Sequence, residues 1–186
     1  YQEVRRGRFG AKIPPSTSIA DMRAFTLPGA EINLQAIAIA HDSGLRVEHL
    51  SDDFLNARPS SGYSPALTVG DFIFVPGATA QPHRGEPARN GMPAAAQVEE
   101  GMNWGGARIK LEAEFLIERR IKPALALAGA TLADVVKAQV YLTRADDFAQ
   151  LTETWVKHFP FDPPALSLVP CGRDALAVAD GRIEIN

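Results

Sequence analysis

The stretch Gly129-Ala130-Thr131-Leu132-Ala133-Asp134-Val135-Val136-Lys137-Ala138-Gln139-Val140-Tyr141-Leu142 decides how this chain folds. Gly129 is a natural helix stop, because glycine enters the left-handed conformation of a helix C-terminus without steric cost. Val135 to Leu142 is rich in β-branched and aromatic residues and predicts a strand. Asp146-Asp147 can cap a helix running to about His158. Pro163-Pro164 then leads into a strand over Ala165 to Val169, and Ile183-Glu184-Ile185-Asn186 is the last strand. The order is helix, strand, helix, strand, strand.

Working back from this block, apolar residues recur at helical spacing from Ile109 to Ala128. Leu116, Pro123 and Leu127 form one stripe, and Ile117, Ile121 and Leu125 a neighbouring one. Pro123 should kink or split this helix, since it has no N–H to give. Residues 79–106 are rich in glycine and proline and predict a long, mostly irregular loop, a kind of segment that often carries function. Pro65–Val69 and Phe72–Val75 read as strands of a hairpin turning at Gly70-Asp71. Residues 42–62 read as a linker, opened by Asp42-Ser43-Gly44 and closed by Pro59-Ser60-Ser61-Gly62. Within it, Leu50, Phe54 and Leu55 can pack as a short turn.

Composition excludes several classes. The 186 residues are 46% hydrophobic and carry 19 Lys+Arg against 22 Asp+Glu, a net charge of -3. That balance and the lack of a basic cluster beyond Arg5-Arg6-Gly7-Arg8 argue against a nucleic-acid partner. No apolar run approaches the length needed to span a bilayer. The single cysteine, Cys171, cannot form an internal disulfide, and a reducing cytoplasm is the expected setting. His41, His49, His83 and His158 have no cysteine or carboxylate partners at ligand spacing, so no metal and no cofactor is expected.

The ending of the chain is echoed at its beginning. Pro14-Pro15-Ser16-Thr17-Ser18-Ile19 matches Pro163-Pro164-Ala165-Leu166-Ser167-Leu168, and Glu31-Ile32-Asn33 matches Glu184-Ile185-Asn186. Tyr1 to Gly10 then corresponds to the helix Thr152–Phe159. Three parts follow: residues 1–41 as the C-terminal part of a first domain, 42–62 as linker, and 63–186 as a second domain. One helix end and two strands cannot bury a sheet face alone. A complementing chain, or a polypeptide longer at both ends, is therefore expected.

The ordered set from Gly129 through Phe148, with the Phe72–Gly77 strand and Arg182-Ile183-Glu184-Ile185-Asn186, resembles the RidA/YjgF (endoribonuclease L-PSP-like) family of reactive-intermediate deaminases. The resemblance implies an α+β fold, a chorismate-mutase-like mixed sheet backed by two helices, assembled as a trimer or pseudo-trimer. It also implies sites in clefts between neighbouring domains, where 2-enamines or 2-imines are hydrolysed to 2-keto acids and ammonia without a cofactor. Glu184 matches the family glutamate, and Tyr63, seven positions before Gly70, matches a pocket tyrosine. In the first copy the glutamate position falls on Glu31 or, with a two-residue shift, on Asn33.

The family arginine, which would fork onto a substrate carboxylate, falls instead on Leu166, with Ser167 beside it, and on Thr17 in the first copy. Leucine cannot make that contact, so the usual chemistry is not carried over unchanged. His83, Arg84 and Trp104 on the long loop are candidates to replace it in binding substrate. Two functions stay open: a divergent hydrolase or deaminase acting on a small enamine, imine or related polar metabolite, and a non-catalytic ligand-binding or structural domain.

Overall fold

A computed structural model describes residues 2–10, 13–20, 22, 28–40, 42–55, 64–102 and 107–186. Helix α1 (Gln2–Phe9) is followed by strands β1 (Val47–Leu50), β2 (Ala66–Val69), β3 (Phe72–Phe74), β4 (Ala78–Thr79), β5 (Ala88–Arg89) and β6 (Met92–Pro93). Helices α2 (Ala107–Leu116) and α3 (Lys122–Leu127), strand β7 (Lys137–Leu142), helix α4 (Phe148–His158) and strands β8 (Ala165–Pro170) and β9 (Ile183–Ile185) complete the fold. It is an α+β architecture. A four-stranded mixed sheet runs β4-β9-β7-β8, with β7 and β8 parallel and the other pairs antiparallel. Joining parallel neighbours requires a crossover, and α4 supplies it.

Alternation along the strands separates two faces. Ala138, Val140 and Leu142 of β7 join Ile183 and Ile185 of β9 in the main core, packed with Ile109 and Leu116 of α2, Ile117 just after it, and Leu151 and Trp155 of α4. The intervening residues, Tyr141 and Glu184, belong to the opposite row. The expected C-terminal stop is a Schellman arrangement: Gly129 has φ 73°, its N–H reaches Ala126 O at 3.0 Å, and Ala130 N–H reaches Leu125 O at 3.0 Å. Ahead of Pro123 the helix widens into a π turn over Ile117–Ile121 rather than simply kinking. Lys122 N–H bonds to Ile117 O there.

The local reading changes in four places. Residues 47–50 lie within the expected linker but form β1, paired antiparallel with β2, because Val47-Glu48-His49-Leu50 can continue the 66–74 hairpin as a third strand. The 79–102 segment contains a hairpin, β5-β6, turning at Asn90 and Gly91, both at positive φ. Asp147 makes no side-chain cap on α4; its carboxylate is drawn to Arg182 at 3.0 and 3.2 Å. The 14–19 and 31–33 segments form no strand ladder among the described residues, since no partner strand lies beside them.

Candidate functional site

Glu184 is central on β9, paired with Thr79 of β4 on one side and Tyr141 of β7 on the other. Its neighbours Ile183 and Ile185 face the core, which forces Glu184 to the opposite face, yet it is only 5% exposed. What covers it is the start of the chain. A Cβ added at Gly77 would lie 2.2 Å from Glu184 Oε1 and 2.2 Å from Thr17 Oγ1. Glycine is needed at 77 because a carboxylate and a hydroxyl both close onto its α-carbon. Thr17 Oγ1 is buried and has no hydrogen-bond partner among the described residues.

The segment carrying Thr17 is held along its length. Ile13 is buried and its carbonyl accepts from Ser64 N–H at 3.4 Å. The buried Arg5 of α1 donates to Pro14 O at 2.9 Å, and Ala20 N–H to Ala175 O at 3.0 Å. Ile19 and Met22 pack with Tyr141 against a small second core of Cys171, Ala175 and Leu176. Burial raises the Tyr141 phenol above its ordinary value, reinforced by the charge of Glu184 and by Cys171. Tyr141 therefore stays a neutral hydroxyl at physiological pH. Gly77, Thr17, Tyr141, Cys171 and Glu184 thus bring together a buried carboxylate, a buried thiol and the hydroxyls of two half-buried residues.

The other expected site residues are dispersed. Leu166 sits on the edge strand β8 opposite Ala138, and Ser167 opposite Gln139. The Leu166 and Glu184 α-carbons are separated by two strand spacings and three residues of β7, roughly 14 Å. Leu166 thus lies on the core-facing row of β7 and β8, and Ser167 on the row of Tyr141. Arg84 is exposed at the turn before Gly85. Tyr63 and Trp104 lie outside the described residues.

His83 is buried in a separate clip that fastens the long loop. Its Nδ1 lies 3.0 Å from Phe54 O, its N–H donates to Glu86 at 2.7 Å, and its ring tilts against Phe54. Arg120, turned inward from the π turn, pairs through both guanidinium nitrogens with Glu86, reaching Oε1 at 3.0 Å. It also donates to Gln81 O at 3.1 Å and stacks over Phe115 at 4.6 Å. Burial pushes Glu86 up, but hydrogen bonds from Arg120 and His83 and the arginine charge outweigh it and hold the carboxyl below its ordinary value.

His158, in the last turn of α4, bridges to α2 and the π turn, with Nε2 2.8 Å from Glu114 and Nδ1 3.7 Å from Glu118. Helix α4 packs beside α2, which brings distant residues together. Glu114, Glu118 and His158 could offer three ligand atoms to a metal, but Lys157 and Lys122 already neutralise the two carboxylates.

Sequence reading misses Tyr141 and Gly77 as site members. Pro76-Gly77 at a strand start was a legible signal for close backbone approach. Tyr141 becomes a neighbour of Glu184 only through the β7–β9 pairing, which connects residues far apart in the chain.

Comparison with known proteins agrees with this architecture. The family model described as Endoribonuclease L-PSP matches residues 106–186. A RutC family protein of Pyrococcus abyssi is 35% identical over 117 residues, covering 62% of this chain and 78% of the relative. The mitochondrial protein mmf2 of Schizosaccharomyces pombe is 29% identical, covering 67% of this chain and 83% of its own length. Among solved structures, RidA from an Antarctic Psychrobacter superposes with a TM-score of 0.51 at 28% identity, over 74% of this chain and 94% of that one. The matched segment contains β7, α4, β8 and β9, with Tyr141 on β7, Cys171 just after β8 and Glu184 on β9. A relative so similar and so fully spanned, together with this sheet and helix order, establishes that the chain belongs to the RidA/YjgF (RutC, endoribonuclease L-PSP) family.

Proposed function

We propose that the chain is a divergent RidA-like hydrolase acting on a small imine, enamine or related polar metabolite, with Glu184 as its general base. The observation that supports this most is the buried carboxylate of Glu184, crowded against Gly77 and the orphan hydroxyl of Thr17. A water held between the two oxygens would give its proton to Glu184 as its oxygen bonds to the imine carbon and the C=N electron pair moves to nitrogen. Glu184 returns its proton to the nitrogen and relays the proton of the adduct hydroxyl there as the carbonyl forms, so the C–N bond breaks and ammonia leaves. Leu166 leaves no guanidinium fork at the usual place, so the favoured substrate lacks a carboxylate or anchors it elsewhere. His83 is committed to the loop clip, which leaves Arg84 of the candidate replacements available to solvent.

Ammonia release from 2-iminobutyrate and from uncharged imines tests this reading. Turnover that Glu184→Ala abolishes supports it. No turnover with any imine removes the hydrolase and leaves the second reading, a ligand-binding or structural domain, which the missing arginine favours. We further infer assembly in a trimer or pseudo-trimer, supported by the exposed Val136, Phe161 and Leu166 around the edge strand. A monomer mass in light scattering would refute it. Among the described residues no helix is long and apolar enough to cross a membrane. A cytoplasmic setting fits the buried thiol of Cys171, the single cysteine of the chain; fractionation against a mitochondrial marker checks it.

A further inference from the structure

A cavity of about 70 Å³ opens at the end of β9, and four arginines line it: Arg108, Arg144, Arg173 and Arg182. A buried water needs about 10–15 Å³ of such volume, so the space holds roughly five water-sized groups. Two of the arginines are committed to acids. Arg108 pairs with Glu112 at 3.2 Å and donates to the Asp180 carbonyl, and Arg182 pairs with Asp147 at 3.0 Å. Arg144 and Arg173 make no ion pair or hydrogen bond through their side chains among the described residues. The walls between them are fixed: Thr143 N–H bonds to Arg182 O at 3.1 Å, Thr143 Oγ1 donates to Gly181 O at 3.0 Å, and Arg182 N–H bonds to Glu112 at 2.8 Å. Asp180 is the acid that faces the cavity without pairing to an arginine side chain.

We propose that this cavity binds a phosphate group, either inorganic phosphate or the phosphate ester of a small metabolite. A carboxylate fills one guanidinium fork, whereas two free forks facing one small space suit an anion with several acceptor oxygens. A phosphate carries about -1.5 to -2 charge at neutral pH on one compact group, enough to engage both unpaired arginines in spite of Asp180. The site stands apart from the Glu184 chemistry: it is built from the loops after β7 and β8 and the start of α2.

Titration calorimetry of the full chain with inorganic phosphate, glycerol 3-phosphate and malonate tests it. Saturable phosphate or ester binding is expected, weakened about tenfold or more in Arg144→Gln and in Arg173→Gln. Arg119→Gln, an exposed arginine on the π turn, should bind like the parent. Both cavity variants replace exposed side chains that hold no partner, so circular dichroism should show an unchanged fold. Tighter binding of the ester than of phosphate identifies a phosphorylated metabolite, and equal binding identifies free phosphate. Absence of saturable binding by either, an equal loss in Arg119→Gln, or malonate binding as tightly as phosphate would overturn the proposal.

Discussion

Two stretches of this chain carry the same pattern and meet opposite fates. Ile183-Glu184-Ile185 enters a sheet between two strands, with Ile183 and Ile185 left 1% and 3% exposed. Its echo, Glu31 to Ala40, joins no strand; Ile32 and Leu34 are 81% and 84% exposed. The N-terminal part of the chain nevertheless contributes where it docks: Ile19 and Met22 pack against Cys171, Ala175 and Leu176, and Thr17 lies beside Glu184. The same alternation is thus a strand only where neighbours accept its hydrogen bonds and its apolar face.

The sharpest way to break this comparison is to remove methyl groups from a buried position of β9 and from an exposed position of the N-terminal stretch. Ile183→Ala empties a filled core position and should destabilise the chain by about 2–5 kcal/mol. Leu34→Ala removes exposed surface and should change stability by no more than about 0.5 kcal/mol. Urea unfolding of both variants reads the contrast. A comparable loss from Leu34→Ala would mean that the first copy is buried against something in solution, as a complementing chain would require.

The next test strikes where the N-terminal segment meets β9. In Gly77→Ala the new methyl collides with Glu184 Oε1 and Thr17 Oγ1, both ends of side chains that can swing away. Gly77 is not at positive φ, so its backbone tolerates alanine. Stability should fall modestly, while imine turnover should drop at least tenfold, because the carboxylate leaves its place. Retained turnover with a normal KM would show that the position of Glu184 does not matter to catalysis.

How much of this was legible follows the range of each interaction. The Gly129 stop, the 66–74 hairpin and the Val135–Leu142 strand are set by nearby residues, and each is found close to where the sequence puts it. The strand at 47–50 was hidden because Gly44 and the Pro59–Gly62 run make the whole stretch read as a connector. Asn90-Gly91 did signal its hairpin, within a loop whose prolines mask the two flanking residues on each side. Glu184 was legible as a site residue, but not its partners. Tyr141 and Thr17 reach it through β7–β9 pairing and through docking of the N-terminal segment. Asp147 and His158 were read from helix ends alone, and partners on other elements claimed both.

A smaller effect separates the anchoring of the two stretches. The start of β9 is tied down by Glu112, which is fully buried and accepts from Arg182 N–H and Arg108; no such tie to residues 31–33 is found among the described residues. Burial raises Glu112 above its ordinary 4.5, against the opposing pull of Arg182 and Arg108. The folded chain therefore keeps this proton to higher pH than the unfolded chain. The stability it contributes is complete below about pH 4.5 and is lost as pH rises through the folded value. Glu112→Gln keeps an acceptor for Arg182 N–H and suffers no such loss. Its urea midpoint relative to the parent should climb as pH rises above about 4.5. A difference that stays level across that range would show that Glu112 is charged at no net cost.

The smallest stability effect is expected at Thr17, and it isolates what the first copy adds to the site. Valine has the shape of threonine without the hydroxyl, and the Thr17 hydroxyl is already buried without a partner. An unsatisfied buried hydroxyl costs about 1–3 kcal/mol relative to one that is bonded, so its removal should leave stability level or slightly raised. Turnover behaves differently if that hydroxyl holds the attacking water against Glu184: Thr17→Val should then lower kcat with little change in KM. Thr17→Ser restores the oxygen and should recover most of the rate. If both variants match the parent in kcat, the N-terminal copy acts only as a cover for the site. If stability falls by more than about 1 kcal/mol in Thr17→Val, the hydroxyl has a bonding partner in solution, and the carboxylate beside it is the first to examine.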